Sequence, residues 1–128
     1  MAVENVSVDE MAVAISKCLE EYKDLAANEL KKSVKKAGKT VREDIKSNAP
    51  RKSGKYKDSW TVKTLSEDST GISLVVHSKD RYMLAHLLEK GHAKRGGGRV
   101  PGKPHIKPAE EKGNKQLEDD IVKALQKG

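Results

Sequence analysis

Residues 56–65 read Tyr56-Lys57-Asp58-Ser59-Trp60-Thr61-Val62-Lys63-Thr64-Leu65, and residues 72–77 read Ile72-Ser73-Leu74-Val75-Val76-His77. These two runs decide the fold class. In the first, Trp60, Val62 and Thr64 fall on one face at a period of two. The second is a short apolar run rich in β-branched residues, which fits a pleated surface. Between them lies Glu67-Asp68-Ser69-Thr70-Gly71, a stretch of turn residues. Two such runs joined by a short Gly-containing turn predict an antiparallel hairpin, here over 56–78.

Upstream, the period changes. Met11, Ile15, Leu19, Tyr22, Ala26, Leu30, Val34, Ala37, Val41 and Ile45 recur at steps of three or four. That pattern places them on one helical stripe and predicts a long N-terminal helix over 8–47. Ser7-Val8-Asp9-Glu10 has the spacing of a capping box. Acids crowd the first half of the stripe and lysines the second, which suits the helix dipole. Gly38 interrupts the stripe at a cost of about 1 kcal/mol relative to Ala. Asn48-Ala49-Pro50 ends it, because a residue before proline avoids the helical region. A helix of about 37 residues is roughly 55 Å long. A compact domain of this size is only about 36 Å across. The expected helix therefore overhangs its own domain and asks for a partner. Arg51-Lys52-Ser53-Gly54-Lys55 then forms a basic turn into the hairpin.

Downstream, Ser78-Lys79-Asp80 can cap a short helix over 80–90, with Tyr82, Leu84, Ala85, Leu87 and Leu88 on its apolar side. Gly91 stops it. Residues 91–107 carry three adjacent glycines and five bases without regular pattern, which predicts a flexible basic loop that orders on assembly. Pro104 to Lys107 can add a short strand, for a sheet of three or four strands. Pro108 suits the start of a final helix over 109–126, with Leu117, Ile121, Val122 and Leu125 as its stripe. The expected class is α+β, in one domain spanning 1–128.

Composition bounds the function. The chain has 128 residues, 35% charged and 35% hydrophobic, with one Trp, three Tyr and no Phe. Such a chain builds a thin core and no deep aromatic pocket. No run approaches the length needed to cross a bilayer, and Met1 to Asp9 lacks the basic-then-apolar order of a secretion signal. The lone Cys18 cannot form an internal disulfide. The net charge of +7 is unevenly spread. Residues 1–30 carry −5, residues 31–63 carry +9, and residues 91–108 carry five bases and no acid. Segregation of this kind steers polyanions or acidic protein surfaces.

The chemistry-bearing residues do not assemble into a catalytic pattern. His86, Glu89 and His92 are spaced by three, but His92 lies beyond Gly91, and neither a cysteine pair nor a His-Glu-x-x-His pattern accompanies them. The expectation is no metal, no cofactor and no enzyme. No nucleophile elbow surrounds a serine, and Gly96-Gly97-Gly98 lacks the lysine and hydroxyl residue of a phosphate loop. Nucleic-acid binding is the serious alternative, since the two basic patches can neutralise phosphates. Against it, only Tyr56 and Trp60 lie near the first patch, and no interleaved aromatic platform for single strands accompanies it.

The order of features resembles a known family. A helix leads to Asn48-Ala49-Pro50-Arg51-Lys52-Ser53-Gly54 and a Trp-bearing strand. The hairpin leads to Tyr82-Met83-Leu84-Ala85-His86-Leu87-Leu88-Glu89-Lys90-Gly91-His92. A basic Gly-rich loop leads to Pro101-Gly102-Lys103-Pro104-His105-Ile106-Lys107-Pro108-Ala109-Glu110. This resembles the tail-completion or head–tail joining proteins of tailed bacteriophages and prophages, the minor tail components of the neck. The resemblance implies a structural protein of the virion neck or tail, assembled in the bacterial host cytoplasm as a homo-oligomeric, six-fold ring. Its implied partners are the tail terminator, the tail tube or the head connector, with non-specific DNA contact and no membrane. The motif residues it singles out are Pro50, Gly54, Glu89, Gly91, Gly102, Pro104, Pro108 and Ala109. Lys94, Arg95, Arg99, Lys103, His105 and Lys107 are the candidate assembly-surface residues of the basic loop.

Overall fold

The computed structural model describes residues 12–22, 26–50, 54–79 and 81–127. Strand β1 (Val13–Cys18) leads through a 3-10 turn (Leu19–Tyr22) to helix α1 (Ala27–Asn48) and the short helix α2 (Gly54–Asp58). Strands β2 (Trp60–Asp68) and β3 (Gly71–Ser78) follow, then helix α3 (Tyr82–Lys90). A small hairpin, β4 (Gly91–Ala93) and β5 (Arg99–Pro101), precedes helix α4 (Lys107–Lys127). The class is α+β, as the sequence predicts.

The main sheet is antiparallel with order β1-β3-β2. The predicted hairpin is present but shifted. Its first strand starts at Trp60 rather than Tyr56, and Tyr56 lies in α2 instead. Val62 pairs with Val76 and Thr64 with Leu74, and a bulge follows at Leu65. Trp60, Val62 and Thr64 share the face that meets α1, as their alternation requires.

The long N-terminal helix is not formed as predicted. Residues 13–18 are a strand paired with β3, Val13 opposite Val76 and Ile15 opposite Leu74. The cause lies in the period. A step of four is even, so a stripe through Ile15 suits a helix and a strand face alike, and Val13, off that stripe, shares the buried strand face with Ile15. Pairing decides between them. β3 is buried along Ile72–Val76, and without β1 one of its edges would leave backbone N–H and C=O groups unpaired. Helix α1 therefore begins only at Ala27 and has 22 residues, about 33 Å. It fits within its domain, so the overhang argument for a partner falls. The capping box at Ser7–Glu10 and the turn residues 51–53 lie outside the described residues. The predicted extra strand at 104–107 is absent, since 102–105 is irregular and α4 has begun by Lys107.

Helix α1 is buried on two sides. Leu30, Val34, Ala37, Gly38, Val41 and Ile45 are its buried positions. On one side a Cβ at Gly38 would stand 3.0 Å from Leu74 Cδ1 and 3.5 Å from Val62 Cγ1. Glycine there lets the helix backbone settle onto the sheet. On the other side α4 crosses, and a Cβ at Gly113 would collide with Val41 Cγ2. Both glycines look like helix weaknesses in the sequence, and both are points of close packing. The ion pairs Lys36–Asp120, 3.5 Å, and Lys112–Asp44, 3.2 Å, join early α1 to late α4 and the reverse. The helices therefore run antiparallel. Trp60, Tyr56, Ala85, Ile106, Ala109, Leu117 and Ile121 complete the core.

Gly113→Ala should therefore destabilise the protein despite alanine's higher helix propensity. Overpacking costs about 1–3 kcal/mol, against about 1 kcal/mol gained from propensity. Adding Val41→Ala opens the space, so the double variant should lose less than the sum of the two single losses in denaturant unfolding. Strict additivity would refute the contact.

A buried carboxylate and the basic hairpin it secures

The candidate assembly region is built around Glu89, at the end of α3. The helix must stop there. Gly91 has φ +82°, and a Cβ on it would strike Val100 O and lie 2.7 Å from Gly102 N. A Cβ on Gly102 would in turn meet Glu89 O and Gly91 N. The two backbones thus cross with no room for side chains. Lys103 N–H donates to Leu88 O at 2.8 Å, which fixes the crossing. Arg99 donates to Lys90 O at 2.7 Å from its guanidinium.

Glu89 itself is buried. Oε1 accepts the N–H groups of His105, 2.7 Å, and Ile106, 2.9 Å, and Oε2 accepts that of Lys107, 3.1 Å. These are N–H groups at the start of α4, which have no acceptor within the helix. A carboxylate is well placed there, where the helix dipole is positive. Charge-assisted bonds of this kind exceed neutral ones in strength. Glu89 thereby ties the end of α3 to the beginning of α4, across the whole basic segment.

His105 completes the network. Its Nδ1 lies 2.7 Å from Lys103 O and 3.1 Å from Glu89 Oε1. Both are acceptors, so Nδ1 carries the proton. In the neutral ring Nε2 then accepts from the Tyr56 hydroxyl, at 2.6 Å. The Tyr56 and His105 rings meet edge-on at 5.6 Å, as do Tyr56 and Trp60 at 6.3 Å. Burial pushes the Tyr56 hydroxyl up to about 12, and the negative charge of Glu89 adds to this. Tyr56 therefore stays a neutral donor. α2 holds it in place, with Ser59 Oγ donating to Tyr56 O at 2.6 Å.

The structure separates the sequence-predicted residues. Lys94, Arg95, Arg99, Lys103 and Lys107 are exposed on and beside the β4–β5 hairpin. His105 is 1% exposed, so it is not a surface residue. Its ring is drawn inward by Tyr56 and Glu89. Glu89, Gly91 and Gly102 meet at the crossing, and Ala109 is buried in the first turn of α4. Pro104 and Pro108 are exposed beside it, and Pro50 and Gly54 lie on either side of the residues before α2. His86 and His92 are exposed while Glu89 is buried, so the three do not converge, and no metal-ligand group occurs among the described residues. Tyr56 was the residue missed. Its place in a predicted strand hid its role, and the only available signal was one tyrosine between exposed lysines. The segment 91–107 is also not structureless, since β4 and β5 pair from Gly91–Pro101 to Ala93–Arg99.

The comparisons with known proteins bear on this arrangement. Residues 14–91 match a family model described as "Bacteriophage HK97-gp10, putative tail-component". The chain belongs to the HK97-gp10-like family. No curated protein and no solved structure matches the chain significantly. The family match covers β1 through α3 and ends at Gly91, so most of the hairpin and all of α4 lie beyond it. It includes Glu89 but not the α4 N–H groups that Glu89 accepts. The family is a structural one, of phage tail components, and no helix among the described residues is long and apolar enough to cross a membrane.

Two outcomes follow. Glu89→Ala should destabilise the fold by roughly 3 kcal/mol, because buried N–H groups lose a charged acceptor; Glu89→Gln, which keeps an acceptor, should lose less. Equal losses in urea unfolding would contradict the capping role. Tyr56 sets a second outcome. Its folded pKa lies above the unfolded value of 10, so the folded state holds its proton longer. The associated stability is complete below pH 10 and declines as pH rises toward 12. Tyr56→Phe should remove that part of the alkaline decline, read as the difference between the two stability–pH curves.

Proposed function

We propose that this chain completes the phage tail and helps join it to the DNA-filled head, as a subunit of a ring in the virion neck. Its partners on this reading are the tail terminator, the tail tube or the head connector. Assembly takes place in the host cytoplasm. Membership of a tail-component family carries the reading. The hairpin supports it. A set of exposed bases is held on a backbone crossing that Glu89, Gly91 and Gly102 fix, which suits a surface that must meet neighbours in one orientation.

The test is complementation of a phage lacking this gene. Without the protein, DNA-filled heads and unattached tails should accumulate. The triple variant Lys94→Ala, Arg95→Ala, Arg99→Ala should fail to restore joined particles, counted by electron microscopy. Normal joining by that variant would overturn the role given to the hairpin. A steeply salt-dependent affinity for duplex DNA, abolished by the same variant, would favour the nucleic-acid-binding alternative.

A further inference from the structure

The sequence carries its basic excess in two separate stretches, residues 31–63 and 91–108. The fold joins a part of each. Tyr56 of α2 donates its hydroxyl proton to His105 Nε2 across 2.6 Å. Both of these buried residues are flanked by exposed lysines. Lys55 and Lys57 stand on either side of Tyr56, and Lys103 and Lys107 stand two positions from His105. The contact between the buried pair therefore gathers four lysines around one point of the surface. Arg99 donates to Lys90 O at 2.7 Å, which ties the second strand of the hairpin to the end of α3 and brings Lys90 to the same surface. Lys94 and Arg95 lead into the hairpin tip, where a Cβ on Gly96, Gly97 or Gly98 would meet nothing.

The face so formed carries eight exposed bases, two from α2 and six from residues 90–107. Four acids lie among or beneath them. Asp58 and Glu111 are exposed and Glu110 is half-buried. Glu89 is buried, with its charge taken up by three N–H groups and His105. At the adjoining end of α1, Glu43 is paired with Arg42 and Asp44 with Lys112. The face is therefore strongly positive. It also lacks apolar anchors. Among the described residues the exposed large apolar side chains are Leu65, Leu84, Leu87, Val122 and Leu125. None belongs to residues 54–58 or 90–111, and Leu87, one turn before Lys90, comes nearest in sequence. The core of a protein–protein interface is apolar and aromatic, and lysine is depleted there. A nucleic-acid interface is polar, wet and much more positive.

We propose that this composite face binds the phosphate backbone of duplex DNA without reading its bases. Six of the eight side chains are lysines, point charges on flexible stems that meet phosphates without a fixed geometry. Arg99 already spends part of its guanidinium on Lys90 O. The start of α4 cannot receive a phosphate, because Glu89 takes its N–H groups. Contact therefore runs through the basic side chains. The face exposes no Trp, Tyr or Phe, since Tyr56 is buried beneath it, so an unpaired base has nothing to stack on. The site goes beyond the joining role proposed above. It belongs to the chain itself, and it holds whether or not the chain completes tails.

The test is a fluorescence-anisotropy titration of a labelled DNA duplex with the full chain, repeated over a series of salt concentrations. Each phosphate neutralised adds about −0.9 to the slope of log affinity against log salt. The wild type should bind A·T-rich and G·C-rich duplexes alike. Lys55→Ala with Lys57→Ala should make the slope shallower by about 2. Lys94→Ala, Arg95→Ala, Arg99→Ala should make it shallower by about 2 to 3 and leave weaker, measurable binding. Lys32→Ala with Lys123→Ala removes exposed lysines near the start of α1 and the close of α4, and should change nothing. Circular dichroism should show all three variants folded, since every substituted position is exposed. No binding by the wild type, an equal loss in the Lys32–Lys123 variant, or an α2 pair without effect each overturns the site. So does complete loss in the hairpin variant alone, which would confine binding to the hairpin. Competition by poly-glutamate as strong as by unlabelled duplex at equal charge would overturn it in favour of an acidic protein partner. A chain that binds DNA as described but is dispensable for joining faults the neck reading and leaves this site standing. A chain required for joining that does not bind DNA faults this site alone.

Discussion

Helix α1 has to be buried on two sides at once, and the rest of the structure follows from that constraint. One side meets a three-stranded sheet and the other meets α4. Both approaches are close enough that an added Cβ would press on the neighbouring side chains. Gly38 admits Leu74 and Val62, and Gly113 admits Val41. A chain with 35% hydrophobic residues and four aromatic side chains cannot fill wide gaps between layers. It brings backbones close instead, and close packing restores the dispersion contacts that bulky side chains would otherwise supply.

The antiparallel crossing sets the start of α4 beside the end of α1, and Glu89 then fixes the segment that leads there. The basic segment leaves α3 at Gly91 and returns to α4 at Lys107. One carboxylate holds both limits of the excursion. A buried acid is costly unless it is well bonded, and here three backbone N–H groups and a histidine bond it. The segment between these limits holds five exposed bases, three on the hairpin and two beyond it. Five of the chain's 26 basic side chains are thereby gathered on and beside this segment, with no acid among residues 91–108.

Much of this was legible in the sequence, and the failures have definite causes. The α+β class, the second strand of the hairpin, the end of the first helix before Pro50 and the last helix follow from local rules. Alternation, turn residues and proline act over a few positions and need no partner. The same rules misread Val13–Cys18, because residues four apart suit a helix stripe and a strand face alike. They also hid Tyr56 and His105, which lie 49 positions apart and become meaningful only in contact. His105 looked like a surface base and is a buried link. Gly38 and Gly113 looked like weak points in helices and are the places where helices pack.

Local rules already settle which segments can be regular, where helices must stop, and how charge is segregated along the chain. These are consequences of backbone sterics and of composition, and both are local. Tertiary contacts alone make residues 13–18 complete the sheet and Glu89 cap α4. Those outcomes depend on unpaired backbone groups finding partners distant in sequence. An edge of β3 and the first N–H groups of α4 both needed such partners, and the fold supplied them from β1 and from the last residues of α3.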